Sequence, residues 1–173
     1  MTNRETAHSH PRPPAGWRRL ALRLPILFYR AGLGPLFGKR LLLLHHTGRV
    51  SDLDRMTVLE VVSHNPAEAS WTVASGFGQR ADWYLNLRAQ PKTLIRFGSR
   101  PHAVTARFLP PEDGAGIMAD YARRHPRTAR RLCGFMGLPA DGGEASFLEA
   151  GKAIPFVRLE ASDGHDRDVP GHS

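Results

Sequence analysis

The sequence LLLLHHTGRVSDLDRMTVLEVV at residues 41–62, followed by WTVASGFGQRADWYLNLRAQ at residues 71–90, determines how this chain folds. Two apolar segments flank a polar turn, which is the pattern of an antiparallel hairpin. A third apolar segment leads into a glycine loop and a short helix. Both loops follow strands and carry glycines and cations, so their backbone N–H groups can hold a phosphate or an aromatic cofactor. The stretch therefore predicts both the fold and the functional site.

The rest of the chain extends this pattern on both sides. Apolar runs bounded by turn residues predict strands at about 41–47, 55–63, 70–75, 93–97, 102–109 and 154–159. The predicted helices are Trp17–Arg30 with a bend at Pro25, Asp82–Ala89, residues 112–137 with a break at Pro126, and a single turn near 147–150. Short strands in hairpin-like succession predict an α+β fold, in which a small, mostly antiparallel barrel carries peripheral helices.

Length and composition predict one folded domain with two polar ends. The chain has 173 residues, of which 41% are hydrophobic, and this is enough for a sizeable core. We assign the domain to residues 16–160. Residues 1–15 are polar and rich in proline, and residues 161–173 are rich in Asp, His and Gly. We predict that both ends are disordered, because neither can bury enough apolar surface to order itself.

Cysteine, histidine and hydropathy patterns exclude several classes of protein. The single cysteine, Cys133, cannot form an internal disulfide, which fits a reducing cytoplasm. His45 and His46 are neighbours on a strand and point to opposite faces, so we predict no metal site. No run approaches the ~18 apolar residues of a membrane span, and Arg23 and Pro25 interrupt the apolar region that a signal peptide needs. We therefore expect a cytoplasmic protein.

The chain is strongly basic, with a formal net charge of +8. Such a balance attracts phosphates, acidic lipids and nucleic acids alike. No nucleic-acid reader motif accompanies it, so we predict no nucleic-acid partner. The segment Trp17–Phe37 combines four arginines with an apolar stripe. A basic amphipathic helix of this kind lies at a lipid headgroup region or covers one end of the barrel. We expect at most a loose, salt-sensitive contact with the inner face of an anionic membrane.

The glycine loop GFGQRA at residues 76–81 has the spacing of a dinucleotide-binding turn. That fold also requires an acidic residue about 20 positions later, and none occurs between Asp82 and Glu112. The loop is therefore not predicted to be a Rossmann turn. A loop without side chains at Gly76 and Gly78 instead allows a flat ring to approach the backbone closely.

Four segments together resemble a known family. They are TGRVS with RMTVLEVV in Thr47–Val62, ASGFG with DWYLNLRAQP in Ala74–Pro91, YARRHPRTARRL at Tyr121–Leu132, and PFVRLE at Pro155–Glu160. Their order and spacing resemble the deazaflavin-dependent nitroreductase and quinone reductase family over about residues 25–159. The resemblance implies a split β-barrel, similar to flavin reductases, that binds the reduced deazaflavin coenzyme F(420). It also implies an oxidoreductase that passes a hydride to a quinone, a nitro compound or an activated double bond.

The resemblance also implies where the coenzyme binds. A deazaflavin carries a phosphodiester and an acidic tail, which require cations and backbone donors. On the first hairpin, Arg49, Ser51 and Arg55 can supply them. The tricyclic ring requires an apolar slot with backbone N–H groups. The residues predicted to form that slot are Ala74, Ser75, Gly76, Phe77, Gly78 and Trp83. Because the coenzyme supplies the hydride, no catalytic acid–base residue is obligatory.

Aromatic residues near these loops are candidates for the acceptor site. Flat aromatic faces suit quinones and nitroaromatics, and we predict that Phe77, Tyr84 and Tyr121 form an apolar wall for the substrate. Core packing is the alternative role for all three. We expect a monomer or a weak homodimer.

The first turn departs from the family's usual pattern, which reads Gly-Arg-Lys-Ser-Gly and often has proline before the final arginine. Here Val50 replaces the usual cation, Asp52 the glycine and Asp54 the proline. Added carboxylates repel a phosphate. The alternative hypothesis is therefore a split-barrel binding protein with little reductase activity, whose pocket holds its coenzyme weakly or accepts flavin mononucleotide, haem or another ligand.

Overall fold

The computed structural model describes residues 40–139 and 141–162, in which six strands form a closed antiparallel barrel. The strands are β1 (Leu41–Thr47), β2 (Asp54–Asn65), β3 (Ser70–Ala74), β4 (Lys92–Phe97), β5 (Arg100–Phe108) and β6 (Phe156–Ala161). Their order around the barrel is β1-β2-β3-β6-β5-β4, and β4 pairs with β1 to close it. The helices are α1 (Asp82–Ala89), α2 (Pro111–Arg124), α3 (Pro126–Phe135) and α4 (Glu144–Ala153).

Side-chain alternation on the first hairpin builds the barrel core. β1 and β2 pair from Leu41 opposite Glu60 to Thr47 opposite Asp54. Leu42 and Leu44 are fully buried in the barrel core, because every second side chain of a strand points to the same face. The same cluster includes Trp71, Val73, Ile95, Val104, Val157 and Leu159 from the other strands. At about 25 cal/mol per Å² of buried apolar surface, these residues supply the main stabilisation of the fold.

Helix α1 covers the end of the barrel at which β1 and β5 terminate. Its residues Trp83, Tyr84 and Leu87 belong to the barrel core. The Tyr84 ring meets Phe108 at the end of β5 edge to face, with 4.9 Å between the ring centroids. The two loops singled out from the sequence lead to this same end, since one joins β1 to β2 and the other joins β3 to α1.

The other three helices pack on the outer face of the barrel. Val61 belongs to the barrel core, whereas its neighbour Val62 is buried among α2, α3 and α4. Helices α2 and α4 approach closely at two glycines, because a Cβ on Gly114 would lie 2.5 Å from the Gly151 carbonyl oxygen. This contact packs α2 closely against α4.

The predicted fold is confirmed, and the structure refines its boundaries. All six predicted strands are present within two residues at each end, and the predicted helix at 82–89 has the predicted limits. The expected break at Pro126 separates α2 from α3, and Pro126 begins α3 at a position where its missing N–H costs no hydrogen bond. The region near 147–150 was predicted as one turn, but it forms the ten-residue helix α4.

Several predictions concern residues outside those described. They are the disordered tail at 1–15, the helix at Trp17–Arg30 with its membrane contact, and most of the tail at 161–173. Ala161 itself is the last residue of β6. Among the helices of the described residues, none has both the length and the apolarity that crossing a membrane requires.

Candidate functional site

The β1–β2 turn brings a hydroxyl and a guanidinium together over a glycine. Gly48 N–H donates to the Leu53 carbonyl at 2.9 Å, which closes the turn. The Arg55 guanidinium donates to Ser51 Oγ at 3.4 Å. A Cβ on Gly48 would lie 2.5 Å from Ser51 Oγ, so a side chain there would displace the serine. Two of the three predicted phosphate ligands, Ser51 and Arg55, therefore pack together over the buried Gly48.

Arg49, the third predicted phosphate ligand, contacts helix α1. Its backbone N–H donates to Asn86 Oδ1 at 3.1 Å, and its Nη1 donates to the same oxygen at 3.0 Å. Nη1 also pairs with the exposed carboxylate of Asp82 at 3.2 Å. The guanidinium is partly buried, with 34% of the side chain exposed. The turn and the helix are thus joined through one arginine.

A buried histidine completes this arrangement. Asn86 Nδ2 lies 2.9 Å from His46 Nδ1, and both side chains are buried. Burial, and then the nearby Arg55 guanidinium, lower the pKa of His46 to about 4. The imidazole is therefore neutral at pH 7. Because Asn86 Oδ1 accepts from Arg49, its amide N–H must be the donor to His46, which assigns the His46 proton to Nε2.

Two hydrogen bonds between Ser75 and Gly78 close the glycine loop after β3. Ser75 is fully buried, and its Oγ donates to the Gly78 carbonyl at 2.6 Å. Gly78 N–H donates back to the Ser75 carbonyl at 2.9 Å, and Gly78 has the left-handed φ of 67° that favours glycine. Between them, the N–H groups of Gly76 and Phe77 donate no hydrogen bond within residues 40–139 and 141–162. They are the backbone donors that a bound ring could use.

Helix α1 places the two loops at the same end of the barrel. Asp82, the first residue of α1, follows Gly78 by four positions and contacts Arg49 at 3.2 Å. The turn and the glycine loop therefore lie close to the same helix end. That the two loops form one site stays a prediction.

The predicted aromatic residues lie in two different clusters. Phe77 is half-buried and meets the exposed Phe135 edge to face, with 5.3 Å between the ring centroids. Trp83 and Tyr84 are buried in the barrel core and contact each other. Tyr121 is buried in the helical layer. Their described contacts do not join these three positions into one wall, and their role in acceptor binding stays a prediction.

Tyr121 instead belongs to a polar group on the outer face of β2. Its hydroxyl donates to Glu60 Oε1 at 2.6 Å, and Arg40 donates to the same oxygen at 2.9 Å. Burial and the bond to Glu60 raise the pKa of Tyr121, so its phenol stays protonated. A cavity of about 260 Å³ beside this group is lined by Arg40, Leu41, Glu60 and Thr128.

Sequence reasoning missed the residues that hold the site together. Asp82 and Asn86 lie four positions apart, so one face of the predicted helix carries both, and that spacing could have been noticed. Their contact with Arg49 had no local signal. The same is true of Phe135, whose ring lies 3.5 Å from the position of a Cβ on Gly76.

Metal ligation and thiol chemistry find little support in this structure. Among the described residues, no three His, Cys, Asp or Glu side chains lie close enough together to hold a metal ion. Cys133 is buried, and burial raises the pKa of its thiol, which disfavours the reactive thiolate.

The three unusual residues of the turn are all exposed. Val50 is 89% exposed. Asp52 adopts a left-handed φ of 52°, a conformation that favours the glycine of the family's usual pattern. Neither Asp52 nor Asp54 forms an ion pair among the described residues. The arginines of the turn are therefore not neutralised by these two carboxylates.

Comparison with known proteins points to one family. A family model described as F(420)H(2)-dependent quinone reductase matches residues 26–133. No curated protein sequence matches the chain significantly.

Among solved structures, an F(420)-H(2) dependent reductase, FDR-A, aligns with a TM-score of 0.50 and 20% identity over 70% of this chain and 95% of its own. A pyridoxamine 5′-phosphate oxidase-related, FMN binding protein from Nostoc punctiforme PCC 73102 aligns with a TM-score of 0.51 and 14% identity over 86% of this chain and 81% of its own. At these identities the two structures establish the split-barrel fold alone.

Proposed function

Because the chain belongs to the F(420)H(2)-dependent quinone reductase family, we propose that it transfers a hydride from reduced coenzyme F(420) to a quinone, a nitro compound or an activated double bond. The family is one of oxidoreductases that use this deazaflavin. The observation that carries the proposal is the meeting of a cationic turn and a glycine loop with free N–H groups at the same end of the barrel.

The residues of the site fit the coenzyme's two chemical ends. Ser51 and Arg55 place a hydroxyl and a guanidinium side by side over Gly48, and this pair suits a phosphate oxygen. Arg49 adds a second guanidinium, which a hydrogen bond to Asn86 on α1 holds in place. At the other end, the N–H groups of Gly76 and Phe77 can bind a carbonyl oxygen of the ring system.

When bound, the coenzyme would supply the hydride, and the chain's own residues have a positioning role. Ser75 holds the glycine loop in a single conformation through both of its bonds to Gly78. The buried Trp83 and the ring of Phe77 make the surroundings of the loop apolar, which excludes water from a reactive ring. No side chain is required to donate or accept a proton in the transfer itself.

The proposal is tested by binding and then by turnover. Oxidised coenzyme F(420) is fluorescent, so a titration with the protein measures affinity through quenching. Reduced coenzyme is then mixed with a naphthoquinone, a nitroaromatic and an unsaturated ketone in turn, and its reoxidation is followed by absorbance. We expect low-micromolar binding and protein-dependent reoxidation by at least one acceptor. No binding at tens of micromolar would refute the coenzyme assignment.

For the acceptor, we propose that Phe77, Tyr84 and Tyr121 contribute to an apolar wall. Phe77 is the accessible member, since Tyr84 and Tyr121 are buried. Replacing Tyr121 with Ala should lower turnover and leave coenzyme affinity within twofold, whereas Tyr121→Phe, which keeps the ring, should retain most turnover. Parallel loss of turnover and affinity in Tyr121→Ala would remove Tyr121 from the acceptor site.

A second candidate function is a split barrel that binds a different ligand and has little reductase activity. It is favoured by Val50, Asp52 and Asp54, which remove a cation and add two carboxylates to the turn. Parallel titrations with flavin mononucleotide and haem test it. Tighter binding of either one than of coenzyme F(420) would establish this alternative.

We further propose a cytoplasmic monomer or weak homodimer, with at most loose attachment to anionic membranes through the basic segment at residues 17–37. Flotation with acidic vesicles tests the attachment, with a matched variant that lacks residues 1–38. Full-length protein that stays unbound at low salt would exclude it.

A further inference from the structure

Asn86 is a buried side chain whose three polar contacts all lie within the candidate site. Only 3% of the residue is exposed. Its Oδ1 accepts from the backbone N–H and from Nη1 of Arg49, and its Nδ2 donates to His46 Nδ1. An amide oxygen has two lone pairs, so both acceptor positions are filled. The orientation of Asn86 is thereby fixed from both sides.

The two donors of Arg49 select one of the two possible orientations of this amide. If the Asn86 side chain turned over, its NH₂ group would face them, and both bonds from Arg49 would be lost. Burial and Arg55 lower the pKa of His46 to about 4, so the imidazole is neutral at pH 7 and can accept from Asn86 through Nδ1. His46 thus holds the amide nitrogen of Asn86, while Arg49 holds the amide oxygen.

The two bonds from Arg49 to one oxygen fix the backbone of the turn and the guanidinium together. A long arginine side chain otherwise samples many rotamers, and a ligand has to order it on binding. The turn itself belongs to an exposed loop, with Val50 and Leu53 open to solvent. The hydrogen bonds of the Arg49 side chain therefore come from α1.

We propose that Asn86 is a positioning residue, which orders Arg49 and the β1–β2 turn in advance for the phosphate-bearing tail of the coenzyme. This inference rests on the proposed function. Asp82 acts in the opposite sense, because its carboxylate shares Nη1 of Arg49 and competes with an incoming anion. Its side chain is 78% exposed, and an ion pair at such a site is weak and easily displaced.

The test separates the tail of the coenzyme from its ring. Oxidised coenzyme F(420) and its deazaflavin riboside, which has the same chromophore but no phosphate, are titrated by fluorescence against Asn86→Ala. We expect affinity for the coenzyme to fall about tenfold and affinity for the riboside to stay within twofold. A purely structural defect would weaken both ligands equally, and that result would overturn the inference.

Two further variants sharpen the result. Asp82→Asn on the same helix should tighten coenzyme binding about threefold, opposite in sign to Asn86→Ala. The double variant Arg49→Ala with Asn86→Ala should lose less coenzyme affinity than the two single losses combined, because in Arg49→Ala only the bond from the backbone N–H remains for Asn86 to accept. Additive losses would mean that Asn86 acts through another residue and would overturn the assignment.

A measurement without coenzyme keeps the two proposals distinguishable. The Arg49 amide donates to Asn86, so its hydrogen exchange should accelerate at least tenfold in Asn86→Ala, while amides of β3 and β6 keep their protection. Unchanged exchange at Arg49 refutes the role of Asn86 whatever the protein binds. Wild-type protein that binds neither ligand, but shows the accelerated exchange in the variant, refutes the proposed function and the role of Arg49 toward the coenzyme.

Discussion

The two loops of the site are held in different ways. The glycine loop is closed by Ser75, which bonds both the N–H and the carbonyl of Gly78 and whose own N–H donates to the Pro155 carbonyl. The β1–β2 turn is closed by the bond from Gly48 to Leu53, but its arginine is held from outside, since Asn86 and His46 secure Arg49 from α1 and β1. The side chains that bond within the glycine loop are therefore three positions apart, whereas those that orient Arg49 are about 40 positions from it or from each other.

His46, which bonds Asn86 near the turn, should make the free energy of unfolding depend on pH. The pKa of His46 is about 4 in the folded protein, against an ordinary value near 6.5. Between pH 6.5 and about pH 4, His46 therefore binds a proton in the unfolded chain but not in the folded protein. The free energy of unfolding should fall through this window, by about 3 kcal/mol in total from this residue.

Denaturant unfolding at pH 7 and pH 4.5 measures this loss, and His46→Gln is the matched control. Glutamine does not titrate but can accept the Asn86 hydrogen bond. His45 and His102, whose pKa values are also lowered by burial, are present in both proteins and cancel in the comparison. If the free energy of unfolding depends equally on pH in wild type and variant, titration of His46 is not the cause of the loss.

A substitution at Gly78 in the glycine loop should lower the free energy of unfolding. An alanine at φ 67° costs about 1–2 kcal/mol, and a shift of this residue also disturbs two bonds to Ser75 at about 1 kcal/mol each. We expect Gly78→Ala to cost about 2–3 kcal/mol in denaturant unfolding. Gly98→Ala is the matched control, because its φ is 61° and its added Cβ would meet nothing within 4 Å. A loss at Gly78 no larger than at Gly98 would contradict the rigid-loop interpretation.

Most of the fold could be predicted because its signals are local. The apolar run of β1, the Asp82 start of α1 and the proline that separates α2 from α3 are all visible within a few residues. The full length of α4 is not visible in this way. It packs through Gly151 on Gly114, which is 37 positions away in the chain, and such tertiary packing stabilises helices beyond their local signals.

The sequence predicts the candidate site residues within the two loops, but not the residues that orient them. Arg49, Ser51, Arg55 and the glycines lie in turns whose chemistry can be read directly, and the structure brings them to one end of the barrel. The partners that orient them come from elsewhere in the chain. Tyr121 shows the same limit, since its hydroxyl is bonded to Glu60 on β2 across 61 positions of sequence.

Restoring the family's usual residues in the β1–β2 turn should strengthen binding of the coenzyme's phosphate-bearing tail. Val50→Lys adds a cation, and Asp52→Gly removes a carboxylate and relieves a left-handed φ of 52°. A single charge ~6 Å from a phosphate contributes about 3 kcal/mol at an effective dielectric of ~20, before solvent screening reduces it. We expect the double variant to bind oxidised coenzyme at least tenfold more tightly, about 1.4 kcal/mol. Unchanged affinity would mean that this turn does not touch the coenzyme.

The smallest effect on stability is expected at Gly48, where the turn differs most from the glycine loop. A Cβ there would lie 2.5 Å from Ser51 Oγ and 3.0 Å from Arg55 Nε, and both are ends of exposed side chains that can move. Gly48→Ala should therefore cost less than about 1 kcal/mol in unfolding. It should still weaken coenzyme binding several-fold, because it displaces the hydroxyl of Ser51 and the guanidinium of Arg55 that pack over this glycine. Gly116→Ala, at a helix position with open space around the added Cβ, is the control for the substitution itself. If Gly48→Ala loses stability but keeps its affinity, the anion does not bind over this glycine, and the turn is a structural element only.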